Sequence, residues 1–243
     1  MNSTISHNAL SGIHCATGST TIINCIITEN TNTSIGGGGI LCYNCEDSWP
    51  IITNCTITRN TSTPKYGGGI KSEYSSPTIT NCIVWGNNGS GIWDADLWAC
   101  DATYSCTSVG SYGDGEGNID FDPLFVNTKT GDYQLRPGSP CIDAANGSVA
   151  LVTDRDGMPR HDDPGTANTG VGNPDYVDIG AYEFQDCTGD FDQNCLIDDK
   201  DLDIFSGYWL YQGCNVDPDF DGNCRVDLAD FAVFAKAWAC YLL

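Results

Sequence analysis

IINCIITEN at 22–30, ITNCTITRN at 52–60 and ITNCIVWGN at 79–87 align without a gap. The alignment places Asn24, Asn54 and Asn81 together, with Cys25, Cys55 and Cys82 beside them and Asn30, Asn60 and Asn87 farther on. Between these segments stand SGI at 11–13, GGGI at 37–40, GGGI at 67–70 and SGI at 90–92, each a turn leading into an apolar strand start. Short runs of Ile, Thr and Val that return every 22 to 30 residues describe a right-handed parallel β-helix, a solenoid that makes this chain mainly β. Coils stack roughly 4.8 Å apart, so equivalent residues form ladders along the axis. Ile13, Ile40, Ile70 and Ile92 are expected to form one inward ladder. Cys25, Cys55 and Cys82 are expected to form another, joined by Cys106 of the weaker coil TYSCTSV. Asn30, Asn60 and Asn87 are expected to line a turn and bond from coil to coil, satisfying backbone groups that a bend leaves free.

Working outward from these coils, Ile5 and Asn8 match Ile27 and Asn30, so the chain enters the register partway through a coil. An open coil exposes an unpaired edge, and the expectation is that further coils precede residue 1. The alternative is that the open end docks on another copy, as in a self-assembling fibre or surface-layer component. Coils are assigned to 1–117. From 118 to 185 the period fades into NIDFDPLF, GDYQLRPGSPCIDA, DRDGMPR and DIGAYEF, read as the final coils and a capping segment. The stretch from Asp154 to Asp175 is too rich in Gly, Pro and Asp for regular structure. This order of segments resembles the close of secreted bacterial β-helix proteins, which often carry a C-terminal anchoring module.

Residues 186–243 contain one pattern twice. Asp190, Asp192, Asn194, Asp198 and Asp201 recur 29 residues later as Asp219, Asp221, Asn223, Asp227 and Asp230. Phe205 and Trp209 recur as Phe234 and Trp238. Oxygen-bearing side chains at loop positions 1, 3, 5, 9 and 12, followed by helical apolar spacing, describe an EF-hand-like calcium loop leading into a helix. Two loops predict two calcium ions. The duplicated loop and helix of Cys187 to Leu243 resembles the type I dockerin, a small α-helical module of secreted polysaccharide-degrading and surface proteins. In that family position 12 is Asp, as Asp201 and Asp230 are here. Position 6, normally Gly for its sharp turn, is Cys195 and Cys224. Positions 10 and 11, which in dockerins help contact a cohesin, are Asp199-Lys200 and Leu228-Ala229; their difference argues against a two-way symmetric contact. The resemblance implies a cohesin-like protein or a neighbouring subunit as partner.

A net charge of -22 with only ten Lys and Arg argues against nucleic acid, whose recognition needs clustered cations. No segment approaches the roughly 20 apolar residues of a membrane span. Fourteen cysteines together with calcium loops suggest an oxidising, extracellular setting, although the opening MNSTISHNAL has no leader pattern. Cys15 and Cys42 each follow a ladder Ile by two places and should stack on adjacent coils. In-register neighbours point the same way, which strains a bridge and leaves buried thiols as the alternative. Cys42-Tyr-Asn-Cys45 has a zinc-like spacing without a second pair in sequence. Cys187, Cys195, Cys214, Cys224 and Cys240 read as structural, and their odd number leaves one free or paired outside the module, with Cys141 as a candidate.

Right-handed β-helices of this kind include polysaccharide lyases and hydrolases that work on the outer face of one sheet. Here His14, Leu41, Lys71 and Trp93 should align, with Glu73 beside Lys71, a row able to face carbohydrate: Trp93 would stack on a sugar ring. No paired-carboxylate or calcium-plus-base motif accompanies it. The function expected is therefore calcium-stabilised attachment or assembly outside the cell, associated with polysaccharide; the competing reading is a fragment of a polysaccharide lyase or glycoside hydrolase. His7, Glu29 and Arg59 fall on another outward row as cross-strand charge pairs. Asp154, Asp156, Asp162 and Asp163 are read as a solvated acidic loop, with another calcium site as the alternative.

Overall fold

Three parallel sheets rise through the first hundred or so residues, each built from one strand of every coil. In the computed structural model the five-stranded sheet stacks Thr4–Ser6, Ile26–Thr28, Thr56–Thr58, Ile83–Trp85 and Cys106–Thr107. A four-stranded sheet stacks Ile13–Cys15, Ile40–Tyr43, Ile70–Glu73 and Ile92–Asp94, and another Thr21–Ile23, Ile51–Thr53, Thr78–Thr80 and Asp101–Thr103. The structure describes all residues except 17, 46–48, 64–65, 95–99, 109–114, 186–188, 190, 192–196, 198, 215 and 242–243, and leaves out the side chains of 236–241. It divides into two units, Met1–Phe184 and Gln185–Leu243.

The ladders follow the sequence register. Ile13, Ile40, Ile70 and Ile92 are direct partners, and they enter one apolar core with Ile22, Ile27, Ile52, Ile57, Ile79 and Val84. Cys25, Cys55 and Cys82 stack in that core as free thiols; the Sγ of Cys55 and of Cys82 donates to the carbonyls of Ile22 and Ile52 in the preceding coil. Cys106 does not extend this ladder. It pairs with Ile83, and Ser105 takes the rung beside Cys82, its Oγ accepting the Cys82 N–H at 3.0 Å. A slip of one residue turns a strand side chain to the opposite face, so Cys106 leaves the interior for the core beneath the capping segment.

Corners recur at fixed positions in left-handed backbone. Asn24, Asn54, Asn81 and Tyr104 have φ of 52, 48, 57 and 47°, and His7, Glu29 and Arg59 have 58, 56 and 57°. Asn tolerates this region better than most residues because its short amide bonds locally. Just beyond the second corner runs the Asn ladder. The Nδ2 of Asn8, Asn30 and Asn60 donates to the Oδ1 of Asn30, Asn60 and Asn87 at 2.8, 2.9 and 3.0 Å. The same Oδ1 atoms accept the backbone N–H of Asn8, Asn30 and Asn60. Carbonyls of Ile5, Ile27 and Ile57 are capped by the Nδ2 of the following rung. On the outer side of the corner Glu29 joins Arg59 at 2.9 Å and His7 at 2.9 Å, the charge row expected from sequence.

The capping segment does more than close the end. Residues 115–119 add a partial rung, with Ile119 bridging Cys106. The chain then returns along the flank of the five-stranded sheet, burying Phe125, Tyr133, Leu135, Ile142, Val177 and Ile179 against Ile26, Ile83 and Cys106. Tyr133 Oη meets Thr28 Oγ1 at 2.7 Å, the Ala181 N–H donates to Thr56 Oγ1 at 3.1 Å, and Asn81 exchanges bonds with the backbone of Asn146 at 2.9 and 2.8 Å. Gly180 lies so close to the coils that a Cβ there would sit 2.7 Å from Ile83 Cδ1.

Asp143, Asp154, Asp178 and Glu183 are all buried in this segment. Asp154, expected in a solvated loop, instead accepts the N–H groups of Asp156, Met158 and Glu183, because the turn folds around its carboxylate. Asp178 accepts from Asp143 and Phe184, and Glu183 takes Arg160 at 2.7 Å together with the N–H of His161 and of Asp178. Asp143 Oδ1 has no partner among the described residues. Burial, then the negative charge of Asp162, pushes the Asp143 carboxyl up to about 7 from its ordinary 3.8, and burial also raises Asp178 and Glu183.

Two outcomes are expected. Asn60→Ala removes an interior rung and strands buried groups of Asn30, Asn87 and Ile27, so denaturant unfolding of the β unit should lose about 3 kcal/mol, whereas Asn8→Ala at the exposed edge should lose under about 1 kcal/mol. For Asp143 the folded value lies above the unfolded one, so its stabilisation is complete below about 4 and declines as pH rises through about 7. The unfolding temperature of the β unit should accordingly fall between those limits, and Asp143→Asn should flatten that part of the profile.

Candidate metal centre

In the second unit two helices follow the two loops: α1, Asp199–Gly207, and α2, Leu228–Tyr241. The duplicated aromatics pack on each other across the repeat. Phe205 and Phe234 stack with centroids 5.3 Å apart, and Phe191 lies 5.7 Å from Phe234 and 5.9 Å from Phe220. Ile197 and Val226, also 29 residues apart, complete the buried set. Asp201 and Asp230 close each loop in the same way: both are fully buried, and each accepts the N–H of the residue at loop position 2, Phe191 at 2.7 Å and Phe220 at 2.8 Å. Of the first loop's predicted ligands, Asp190, Asp192, Asn194 and Asp198 lie outside the described residues.

The second loop is described throughout. One carboxylate oxygen from each of Asp219, Asp221 and Asp230 lies within 4.8 Å of the others, the one such group among the described residues. Asp219 Oδ2 accepts the Cys224 N–H at 2.9 Å, while its buried Oδ1 has no hydrogen-bond partner among the described residues. Three like charges at this spacing with an orphaned oxygen fit a hard, oxygen-preferring cation, which would neutralise them. Asp227 stands apart from this group: its Oδ1 accepts the Ala229 N–H at the start of α2, and its Oδ2 lies 3.8 Å from Arg225 Nε. Asn223 turns its amide onto Asp221 Oδ2 at 2.8 Å. Position 6 behaves as its usual Gly would, because Cys224 has φ 68°, which costs a non-glycine residue about 1–3 kcal/mol.

Cys224 is bridged to Cys214. The candidate partner Cys141 is instead a free buried thiol facing Cys106 in the β unit, and Cys187, Cys195 and the side chain of Cys240 lie outside the described residues. Cys15 and Cys42 are register partners and stay as thiols; Cys42 donates to Cys15 and holds it down to about 7. Folding brings Cys45 to the same place, its Sγ donating to the Cys15 carbonyl at 3.4 Å, a juxtaposition that sequence spacing alone did not show.

His14, Leu41, Lys71 and Trp93 pair across one sheet as expected, and Glu73 pairs with Tyr43. The row is not an open face. Gly36 and Gly37, at φ 94 and 66°, fold their loop over Leu41, which is fully buried. The Lys71 ammonium is held by Ile35 O at 2.7 Å and Glu73 at 2.6 Å, 5.3 Å from the Trp93 ring centre. His14 is exposed. Aromatic surface absent from the sequence reading appears nearby: Tyr66 packs on Trp93 at 4.9 Å, and Tyr43 meets Tyr74 at 6.1 Å. Farther round, Thr58, Arg59, Trp85, Asp122, Phe125 and Arg136 line a cleft of about 400 Å³ under the capping hairpin. Arg59 and Arg136 are far apart in sequence, so only the returning hairpin reveals it. No described helix is long and apolar enough to cross a membrane.

Residues 1–108 match the family described as "Right handed beta helix region". With the stacked parallel sheets, this makes the N-terminal part a right-handed β-helix repeat. Comparison with curated proteins and with solved structures found no match.

Proposed function

We propose that the second unit is a dockerin-like connector folded by two calcium ions, and that the β-helix is the rigid body it attaches outside the cell. The observation that carries this reading is the convergence of one carboxylate oxygen each from Asp219, Asp221 and Asp230, with Asp219 Oδ1 unpaired among the described residues, in a loop whose ligand pattern occurs twice. Asp219, Asp221, Asn223 and Asp230 would hold one ion, with Asp227 reached through water; Asp190, Asp192, Asn194, Asp198 and Asp201 would hold the other. The ion supplies charge neutralisation and loop closure, and its binding free energy is folding free energy for ligands that the unfolded chain scatters. The duplicated Phe205 and Phe234 pack on each other across the repeat, and such a paired loop-and-helix module would suit a cohesin-like partner or a neighbouring subunit.

The aromatic pairs Tyr66–Trp93 and Tyr43–Tyr74, in which the three tyrosines are exposed and Trp93 is half-buried, support polysaccharide as the surface that the β-helix faces. Stacking against apolar sugar faces needs such rings, and Lys71 is sequestered by Glu73 and the Ile35 carbonyl, which leaves the exposed His14 as the row's other basic side chain. The body is therefore read as a binding and spacing element in preference to a lyase or hydrolase.

Calorimetry on the chelator-treated full chain should show two calcium ions bound. At a hundredfold excess over its dissociation constant each ion should add about 2.7 kcal/mol to the stability of the second unit. Asp221→Ala, at an exposed position, should remove one ion and leave the β unit unchanged; full-length protein that takes up no calcium would end this reading. Trp93→Ala should reduce retardation in polysaccharide-containing native gels at least several-fold if that face binds glycan, while leaving calcium binding intact.

A further inference from the structure

The disulfide of the second unit encloses the candidate ion site. Cys214 and Cys224 are ten residues apart, and the ring they close contains Asp219, Asp221 and Asn223, the ligands at loop positions 1, 3 and 5. Cys224 itself sits at position 6, where the backbone must turn through positive φ and where its N–H fixes Asp219 Oδ2 at 2.9 Å. The backbone reinforces the bridge: the Gly213 N–H donates to the Cys224 carbonyl, and Gln212 bridges Arg225. A side chain poorly suited to this turn is thus held in it by a covalent tie to the segment that runs antiparallel beside it at Gln212.

Resting on the calcium reading above, we propose that this disulfide sets the affinity of the second calcium site, making it a redox-gated site. The oxidised ring confines the unbound loop near its ligand-bearing form, so less freedom is lost when the ion binds. Reduction by a dithiol opens the ring: one thiolate of the reductant attacks a sulfur, the S–S bond breaks to a mixed disulfide, and the second thiol displaces it. Cys214 and Cys224 gain two electrons and two protons as thiols, and the dithiol leaves as its own disulfide. Freed from the tie, Cys224 relaxes out of positive φ and withdraws its N–H from Asp219. The coupling is reciprocal, because an ion bound more tightly by the oxidised form must protect the disulfide by the same factor. The first loop has Gln185 at the register of Cys214, and its own Cys187 and Cys195 lie outside the described residues; a variant changed only at Cys214 and Cys224 leaves that loop's sequence intact, so its site serves as an internal reference.

Two measurements on the full chain test this. In calorimetry, the Cys214→Ser/Cys224→Ser variant should bind one of its two calcium ions at least tenfold more weakly than the oxidised protein, with the other unchanged. Cys214→Ser/Cys224→Gly should recover part of the loss, since glycine takes the turn without the tie. In dithiothreitol buffers read by alkylation and mass spectrometry, calcium should make the native disulfide tenfold harder to reduce, about 30 mV on a two-electron couple. This second readout needs no variant and so does not depend on how the variants fold. Equal affinities in oxidised and Ser/Ser protein, or reduction indifferent to calcium, would overturn the coupling while leaving the calcium connector standing. Absence of calcium binding in the oxidised protein would overturn both.

Discussion

Every coil of the β unit must turn corners in the protein interior, and a turned backbone loses partners that a straight ladder supplies. The Asn30, Asn60 and Asn87 amides replace them. Each fully engaged amide donates to a side chain in the next coil and a carbonyl in the preceding one while accepting a backbone N–H. An amide is the one short side chain carrying both donor and acceptor in a plane that matches the stacking direction. Because all rungs are alike, satisfaction of one depends on its neighbours, and the apolar Ile ladders are free to be repetitive.

The same in-register stacking governs the cysteines. Residues on neighbouring parallel strands project the same way, which suits a column of small, weakly donating thiols better than a bridge. Among the described residues nine cysteines are free thiols, all buried and all in the β unit. Cys25, Cys55 and Cys82 fill the narrow space inside a corner, and their Sγ atoms find carbonyl acceptors. In the second unit Cys214 and Cys224 approach from two different segments, and there a bridge forms.

What could be read from the residues divides along lines of periodicity. The registers of Ile13, Ile40, Ile70 and Ile92 and of Asn30, Asn60 and Asn87 were legible because a repeat specifies its own neighbours. Cys106 was misplaced because the coil TYSCTSV replaces Asn by Tyr104 at the corner, leaving Ser105 as the true counterpart of Cys82. The return of residues 118–184 along the flank was not legible, since its contacts join Tyr133 to Thr28 and Asn146 to Asn81 with no local pattern. The helices and the repeated Phe contacts of the second unit could be anticipated from the 29-residue offset, and so could the strained turn at Cys224. The loops that bury Leu41 and occupy Lys71 could not, because their course depends on Gly36 and Gly37 folding against another coil.

Two acidic clusters show why equal composition does not mean equal chemistry. In the capping segment Asp154, Asp178 and Glu183 are each surrounded by backbone N–H groups, with Arg160 against Glu183, so the chain itself compensates their charge. Asp143, the member left with an orphaned oxygen, is one carboxyl raised to about 7, and a proton suffices for it. In the second loop three carboxylates meet in one place, the nearby Arg225 is turned to Asp227, and Asp219 Oδ1 has no donor among the described residues. Helix α2 begins immediately after Asp227 and buries Asp230, so the loop cannot relieve repulsion by spreading without losing the helix start. Under the calcium reading proposed above, a divalent cation would answer the charge, the orphaned oxygen and the closure of the loop together.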